Sequence, residues 1–399
     1  MKKQVYLDYA ATTPTDPEVK DFIQPYFDKV FGNTHSIHSV GQQAHRVVEK
    51  ARNFIAEKLN CQPEEIIFTS GGTESNNMAI KGVYFANRHL GARHIITSTI
   101  EHHAVLEPVK FIVETFKKEG ASATYVPVNN KGVVDLEKLF SAIRDDTILI
   151  SIMHANNEVG TIQPIKEIGE KLKKINQQRI VQGKHRIYFH TDAVQTFGHL
   201  KINLNELNVD LLSASGHKFY APKGVGFLYI RKGTKIEPLL HGGGHEFGKR
   251  SSTVNVAGIA GLYKATEIAY NVMEEENKRI KTLRDKLLEG ILKQIPDIKI
   301  NSDIENGLPN NLNISIYGIE SEAVLIALDN KGICISSGSA CSSGSLEPSH
   351  VLLAMGVEPV LARGSIRFTL GRFTTKEEID YVLEVFPEVV KKIKNISPL

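Results

Sequence analysis

The chain has 399 residues, long enough for two or three domains or for one large domain with a smaller one. Apolar residues make up 41 %, charged residues 23 %, and the formal charge is +3 with the two signs interspersed, so neither a nucleic-acid partner nor a membrane partner is expected. No apolar run approaches the roughly 18 residues of a membrane span, no signal peptide is expected after Met1-Lys2-Lys3, and three cysteines without a CxxC pair point to a reducing, cytoplasmic setting.

In chain order, short β-rich runs are predicted at 66–69, 94–97, 123–126, 148–153, 187–190, 211–213 and 226–230. Several are apolar throughout, the pattern of strands buried on both faces. Helical patterns separate most of them, for example 42–59 and 74–86, and this alternation predicts a mainly parallel sheet covered on both sides. The last two runs are joined by a short loop, which leaves room for an antiparallel member. From about residue 260 the rhythm changes to a long charged helix over 257–294, a strand at 313–316 and a helix over 321–330. Strands at 333–336 and 364–369 follow, then a terminal amphipathic helix over 375–393. This second part reads as a smaller α+β domain joined through the long helix.

The chemistry-bearing residues cluster at the ends of the early strands. Ser70-Gly-Gly-Thr-Glu-Ser75 follows the first run and opens a helix, so its free amides and the Thr73 hydroxyl form either an anion site or an ordinary helix cap. It lacks the GxxxxGK[ST] spacing of a nucleotide loop and suits one phosphate better than three. Glu101-His102-His103 follows the second run, where an imidazole can stack on a flat cofactor and exchange protons near neutral pH. Asn156-Asn157-Glu158 offers an amide for a ring oxygen or a carboxylate, or simply a turn. His103, His154, His185 and His199 have no evident partner.

Run 187–190 ends in Thr191-Asp192-Ala-Val-Gln195, and the apolar stretch 209–212 leads into Ser213-Ala-Ser-Gly-His-Lys218. An acid and a lysine thus reach one sheet edge, the pair that a pyridoxal phosphate enzyme needs. The lysine forms a Schiff base and the aspartate keeps the pyridine nitrogen protonated, so that the ring acts as an electron sink. Alone, Lys218 reads as a surface lysine; Asp192 and the anion site reverse that balance. His241-Gly-Gly-Gly-His245 has zinc-like residues without a third ligand, Glu246 being the nearest acid, and reads as a flexible loop. Lys249-Arg-Ser-Ser-Thr-Val-Asn255 is polar enough to meet a phosphate. Cys341 lies within Ser336-Ser-Gly-Ser-Ala-Cys-Ser-Ser-Gly-Ser345, a serine- and glycine-rich stretch read as a mobile, solvated loop holding a reactive thiol. Cys334 reads as core and Cys61 as a helix-end residue. Arg367, on a strand of the second part, suits capture of an amino acid's carboxylate or sits exposed on its strand.

Together, Tyr6-Leu-Asp-Tyr-Ala-Ala-Thr-Thr-Pro14, Thr69-Ser-Gly-Gly-Thr-Glu-Ser75, His190-Thr-Asp-Ala-Val-Gln195, Ser213 to Lys218, Ser336 to Cys341 and Leu370-Gly-Arg-Phe-Thr374 resemble the cysteine desulfurases nearly end to end. The resemblance implies a fold-type I pyridoxal phosphate enzyme of the α/β class. A large domain over 15–256 with a mainly parallel seven-stranded sheet would be joined to a small α+β domain from 1–14 and 257–399, which carries the Cys341 loop. It implies Lys218 as the Schiff-base lysine, Asp192 on the pyridine nitrogen, Gln195 on the ring hydroxyl oxygen and His102 stacked on the ring. Gly72, Thr73, Ser215 and His217 would bind the cofactor's phosphate, and Thr253 the phosphate of the partner subunit in a homodimer. Asn157, near the cofactor, and Arg367 would hold the carboxylate of L-cysteine. Lys218 would move the Cα proton, His102 a proton at the substrate thiol, and Cys341 would take the sulfur as a persulfide, leaving alanine.

The length of the cysteine loop resembles the long-loop branch, which passes sulfur to iron–sulfur scaffold or carrier proteins. No resident metal is implied, though Cys341 could transiently ligate a cluster during transfer. The chain departs from the family at Thr34-His35, where relatives usually carry Pro-Ser, and at Ser252, where glycine is usual. Two alternatives stay open: an aminotransferase or other lyase for which Cys341 is incidental, and a non-catalytic sulfur-carrier or assembly platform, against which Lys218, Asp192, His102 and Cys341 speak together.

Overall fold

The structure, a computed structural model, describes residues 4–337 and 347–396. Its centre is a seven-stranded sheet in the order Ile66–Thr69, Gly226–Ile230, Leu211–Ser215, Tyr188–Asp192, Thr147–Ser151, His94–Ser98 and Ser122–Val126. All neighbours are parallel except Gly226–Ile230, which runs antiparallel to both of its neighbours. The seven predicted runs are these strands, with ends shifted by at most two residues, and the antiparallel member is the last one.

The continuous apolar runs have a physical cause in the two-sided burial. Within each strand, alternate residues point to opposite faces. Ile66, Phe68, Ile96, Ile150, Phe189, Leu212 and Phe227 pack on one side, with Val48 and Ile55 of the helix Ser39–Leu59 and Ile168 and Leu172 of the helix Ile165–Val181. Ile67, Ile95, Leu149, Tyr188, Leu211 and Leu228 pack on the other, against Met78 and Val83 of Gly72–Asn87 and Val105, Val109 and Ile112 of His103–Thr115. Helices cover both faces, mid-strand polar groups are paired internally, as His190 is with Ser151 and Ser213, and the site lies at the strand ends.

The 39-residue helix Val256–Gln294 starts with Asn255, whose side chain accepts from Gly258 N. Its first turns bury Ile259 and Leu262 against the large sheet, while Ile280, Leu287 and Ile291 enter a second core. That core is built on an antiparallel four-stranded sheet in the order Ser336–Ser337, Ser365–Thr369, Asn311–Ile316 and Ile298–Ile300, and is closed by Ile379, Val382 and Phe386 of the last helix, Lys376–Ile396.

Three local expectations need correction. The single strand expected over 333–336 is two short ones: Ile333–Cys334 pairs in parallel with Val5–Tyr6, and Ser336–Ser337 joins the four-stranded sheet. Cys334 is therefore at a sheet edge and only partly buried, with its thiol 3.8 Å from Asp329 Oδ1, because two-residue strands cover little. The glycine-rich loop before Glu246 is not merely flexible. Glu246 is buried, pairs with both terminal nitrogens of Arg52 at 2.9 and 2.8 Å, and accepts from Phe68 N at 2.8 Å. This clamp holds Glu246 and Phe247 at φ 51° and 56°, a conformation that non-glycine residues rarely adopt. His241 lies 3.9 Å from Glu237 and His245 packs edge-on to His35 at 4.4 Å, so the two imidazoles are engaged separately.

Candidate active site

One cavity of about 350 Å³ is lined by Gly72, Thr73, His102, Asn157, Asp192, Gln195, Ser215, His217, Lys218 and Arg367, together with Ala10, Ala11, Asn76, Met153 and Val194. Ten of the twelve residues singled out for cofactor, substrate or catalysis thus meet in one place. Thr253 does not line it; it borders a neighbouring hollow with Ser70, Glu246, Arg250 and Ser252. Cys341 lies outside the described residues.

The large sheet supplies most of the lining from its strand exits. Asp192 ends Tyr188–Asp192, and Lys218 closes the short helical turn Gly216–Lys218 after Leu211–Ser215. These two strands are parallel neighbours, with Asp192 opposite Ser213, so acid and lysine leave the sheet side by side. Asp192 is buried and held on both oxygens: Val194 N donates to Oδ1 at 2.9 Å and Asn76 Nδ2 to Oδ2 at 2.6 Å. Two donors from fixed elements aim the carboxylate into the cavity. Lys218 Nζ donates to the carbonyls of Ala10 at 2.5 Å and Ala11 at 2.8 Å, and Gln195 Nε2 also donates to Ala10 O, at 3.1 Å.

Gly71 caps Gly72–Asn87 at φ 149°, a conformation that side chains rarely allow, and a Cβ on Gly72 would meet Val194 Cγ2 at 2.7 Å. The backbone there approaches the Asp192 turn closely. The Glu74 carboxylate accepts from Ser70 N at 2.7 Å and from Arg250 Nε at 2.7 Å, and these partners hold it below the usual carboxylate range despite burial. His217 Nδ1 lies 3.1 Å from Thr12 Oγ1, and burial, with Lys218 and Lys223 adding to it, lowers its imidazole to about 4.

His102 caps His103–Thr115, its Nδ1 accepting from Ala104 N at 3.0 Å. Burial lowers its pKa, opposed by the Asp192 carboxylate and reinforced by Lys218. A ring that accepts at Nδ1 keeps its proton at Nε2. Behind it, Glu101 is fully buried and accepts from Ser98 Oγ at 2.6 Å and Met153 N at 3.0 Å, while its Oε2 has no partner. Burial, with Asp192 adding to it, pushes that carboxyl up to about 8.

Asn156 makes the turn of its tripeptide, its Oδ1 accepting from Glu158 N at 2.8 Å and Val159 N at 3.0 Å. That leaves Asn157 on the cavity. Arg367 arrives from the other sheet. It is buried, so the exposed-strand alternative is excluded, and its Nη1 donates to Asn157 O at 2.9 Å and its Nη2 to Asp8 Oδ1 at 2.7 Å. Of the four histidines without an evident partner in the sequence, three have hydrogen-bonded places, His154 on Thr196 Oγ1, His185 on Thr147 O and His199 on Lys218 O, while His103 lies 3.8 Å from Glu107 and its ring 5.3 Å from that of His350.

The donor set fits pyridoxal phosphate. The turn at Gly72 and Thr73 begins a helix of 16 residues and is flanked by the Ser215 hydroxyl, as a monoester dianion requires. A doubly anchored carboxylate suits a pyridinium nitrogen, and an amine is at hand for the aldehyde. Asn76, Asp8, Ala10, Ala11 and Glu101 went unnoticed in the sequence as site residues. Asn76 lies among the buried residues of Gly72–Asn87, where its side chain reaches Asp192.

The aminotransferase class-V family model matches residues 5–382. A cysteine desulfurase IscS from Dictyoglomus turgidum is 54 % identical over 398 residues, covering 100 % of this chain and 97 % of that protein. One from Methanosarcina thermophila is 52 % identical over 397 residues, covering 100 % and 94 %. Among solved structures, a NifS-like protein superposes with a TM-score of 0.87 at 41 % identity, covering 98 % of this chain and 100 % of that one. A NifS-like protein from Rickettsia africae does so with 0.84 at 34 %, again over 98 % and 100 %. These relatives share the α/β fold with its mostly parallel central sheet, and theirs is a family of pyridoxal phosphate enzymes. On a match that spans nearly the whole chain, this protein belongs to the class V aminotransferase family.

Proposed function

We propose that this chain is a pyridoxal phosphate-dependent cysteine desulfurase, converting L-cysteine to L-alanine and taking the sulfur onto Cys341 as a persulfide. The observation that carries the reading is the meeting of the Lys218 amine, the Asp192 carboxylate and the Arg367 guanidinium in one cavity, in a chain about half identical to proteins of that name. When bound, the cofactor supplies an electron sink for charge developing at the substrate's Cα. Arg367 and Asn157 hold the α-carboxylate. Lys218 moves the Cα proton, and Asp192 keeps the pyridine nitrogen protonated from its Val194 and Asn76 anchors. Gln195 serves the ring hydroxyl oxygen, and Gly72, Thr73, Ser215 and His217 the phosphate. His102, neutral at physiological pH through burial, stacks and trades a proton at the substrate sulfur.

Cys341 then attacks that sulfur. Its S–S bond forms as the Cβ–S bond breaks, and the carbon skeleton leaves protonated as alanine. Cys61 is a poor rival, since burial pushes its thiol up to about 12. The working form in this reading is a cytoplasmic homodimer in which Thr253 serves the partner's phosphate, with domains 15–256 and 1–14 plus 257–399, delivering sulfur to an iron–sulfur scaffold or a carrier.

With L-cysteine and a thiol reductant, alanine and sulfide should appear one to one; a keto acid in place of alanine would move the protein to the aminotransferases. Cys341→Ser should still bind L-cysteine yet release no sulfide. Mass spectrometry of the wild type should find added sulfur on Cys341 and on neither Cys61 nor Cys334. Full activity in Cys341→Ser would make the loop thiol incidental.

A further inference from the structure

The segment after Val5–Tyr6 crosses the cavity and touches both of its ends. Its Ala10 and Ala11 carbonyls accept from Lys218, and its Asp8 carboxylate accepts from Arg367 Nη2 at 2.7 Å. Asp8 is itself fixed. It forms a parallel bridge with Thr369, its carbonyl accepts from the Tyr6 hydroxyl at 3.0 Å, and Ala10 N next along is held by Thr369 Oγ1 at 2.9 Å. The guanidinium therefore has two acceptors, the Asn157 backbone carbonyl at Nη1 and the Asp8 carboxylate at Nη2. Of the other acids nearby, Glu158 is engaged by Ser349 Oγ at 2.5 Å and Asp192 by Val194 N and Asn76 Nδ2, so among the described residues Asp8 is the carboxylate that pairs with Arg367.

Arg367 is 1 % exposed and Asp8 21 %, so the pair is deep but open on the acid's side. A buried guanidinium without a counter-charge is unstable, and an arginine free to sample rotamers binds a carboxylate poorly. Two of its five N–H donors are committed to these anchors, and the residue lines the cavity.

We propose that Asp8 is the positioning residue for Arg367: it fixes the guanidinium in the single orientation that meets the α-carboxylate of the amino-acid substrate. The inference rests on the reading of Arg367 as the carboxylate-binding group. Asp8 acts only through Arg367, so its effect is confined to ligands that carry a carboxylate.

L-Serine and ethanolamine, which differ by the carboxylate alone, test this as competitive inhibitors of L-cysteine turnover by the holoenzyme. The readout is the ratio of their inhibition constants. Asp8→Ala should shrink the preference for serine by about tenfold and raise KM for L-cysteine while kcat stays within about threefold. Asp8→Asn keeps an oxygen acceptor of the same reach and should restore the ratio to within about threefold of wild type. If Asp8→Ala does not fold, Asp8→Glu, one methylene too long for the same seat, should show the same loss. A ratio unchanged in Asp8→Ala, or an equal loss for both inhibitors, overturns the role of Asp8 provided that Arg367→Lys collapses the ratio. If Arg367→Lys leaves the ratio intact, the carboxylate reading of Arg367 itself falls, and this inference with it.

Discussion

The two sheets contribute to the site in opposite ways. The seven-stranded sheet offers its residues from strand exits, where Asp192, Lys218 and the turn at Gly72 leave the buried interior and meet in a crevice. The four-stranded sheet offers Arg367 from the middle of Ser365–Thr369, a strand whose residues are all buried, so its charge must be met by Asp8 and Asn157 O. The parallel sheet thus makes chemistry available wherever helices start. The antiparallel sheet makes a rigid post, placed by core packing of Ile366 and Phe368 on either side. Variants on the first should change what happens to a bound substrate, and those on the second how well it is held.

Lys218→Ala should give the largest effect, a loss of turnover of about three orders of magnitude or more, since no other amine replaces a covalent cofactor anchor. Borohydride reduction of the wild type should mark Lys218, and a mark on Lys223 would break the assignment. Asp192→Asn should retain cofactor but slow Cα proton exchange by about a hundredfold, because a neutral amide holds the pyridinium less well than a charge-assisted partner. Unchanged exchange would remove Asp192 from that role. Arg367→Lys should raise KM for L-cysteine about thirtyfold with kcat nearly kept, as a point charge replaces a planar fork. A fall in kcat equal to the rise in KM would erase the contrast between the sheets.

The last effect is on stability and not on turnover. Glu101 has a folded-state pKa of about 8 against an ordinary 4.5. A raised carboxyl binds its proton more tightly when folded, so its contribution is full below about pH 4.5 and is lost as pH rises through about 8. Glu158, raised to about 7 by burial, acts in the same direction. Glu101→Gln, neutral at every pH, should therefore gain on the wild type by an amount on the order of a few kcal/mol between pH 5 and pH 8, measured by urea unfolding. A difference flat with pH would mean that the buried group stays charged.

Legibility in the sequence followed the same contrast. Strand exits are local features: an apolar run, then a small polar turn with a reactive residue, and this located Asp192, Lys218, His102 and the glycine turn. The apolar run also marked the two-sided sheet, because burial on both faces removes the alternation that a one-sided strand would show. What pairing across the chain decides was not readable. Glycines before Glu246 suggested a free loop, yet Arg52, 194 positions away, buries the carboxylate. Asp8 appeared only as part of a motif, since its partner is 359 positions away. Ile298–Ile300 was missed for another reason: three partly exposed residues, paired on one side with Asn311–Ile316, carry too little pattern.

That distance between Asp8 and Arg367 has a consequence for biogenesis. At about 5–20 residues per second, roughly 20–70 s of translation separate the two residues. Through that interval the large sheet can collapse, but the emerging chain must keep its first dozen residues out of any lasting alternative arrangement. The catalytic pocket is therefore finished last, by a return of the oldest segment to the newest. A ribosome stalled before residue 365 should carry a nascent chain with a protease-resistant central sheet and an N-terminal arm still open to cleavage.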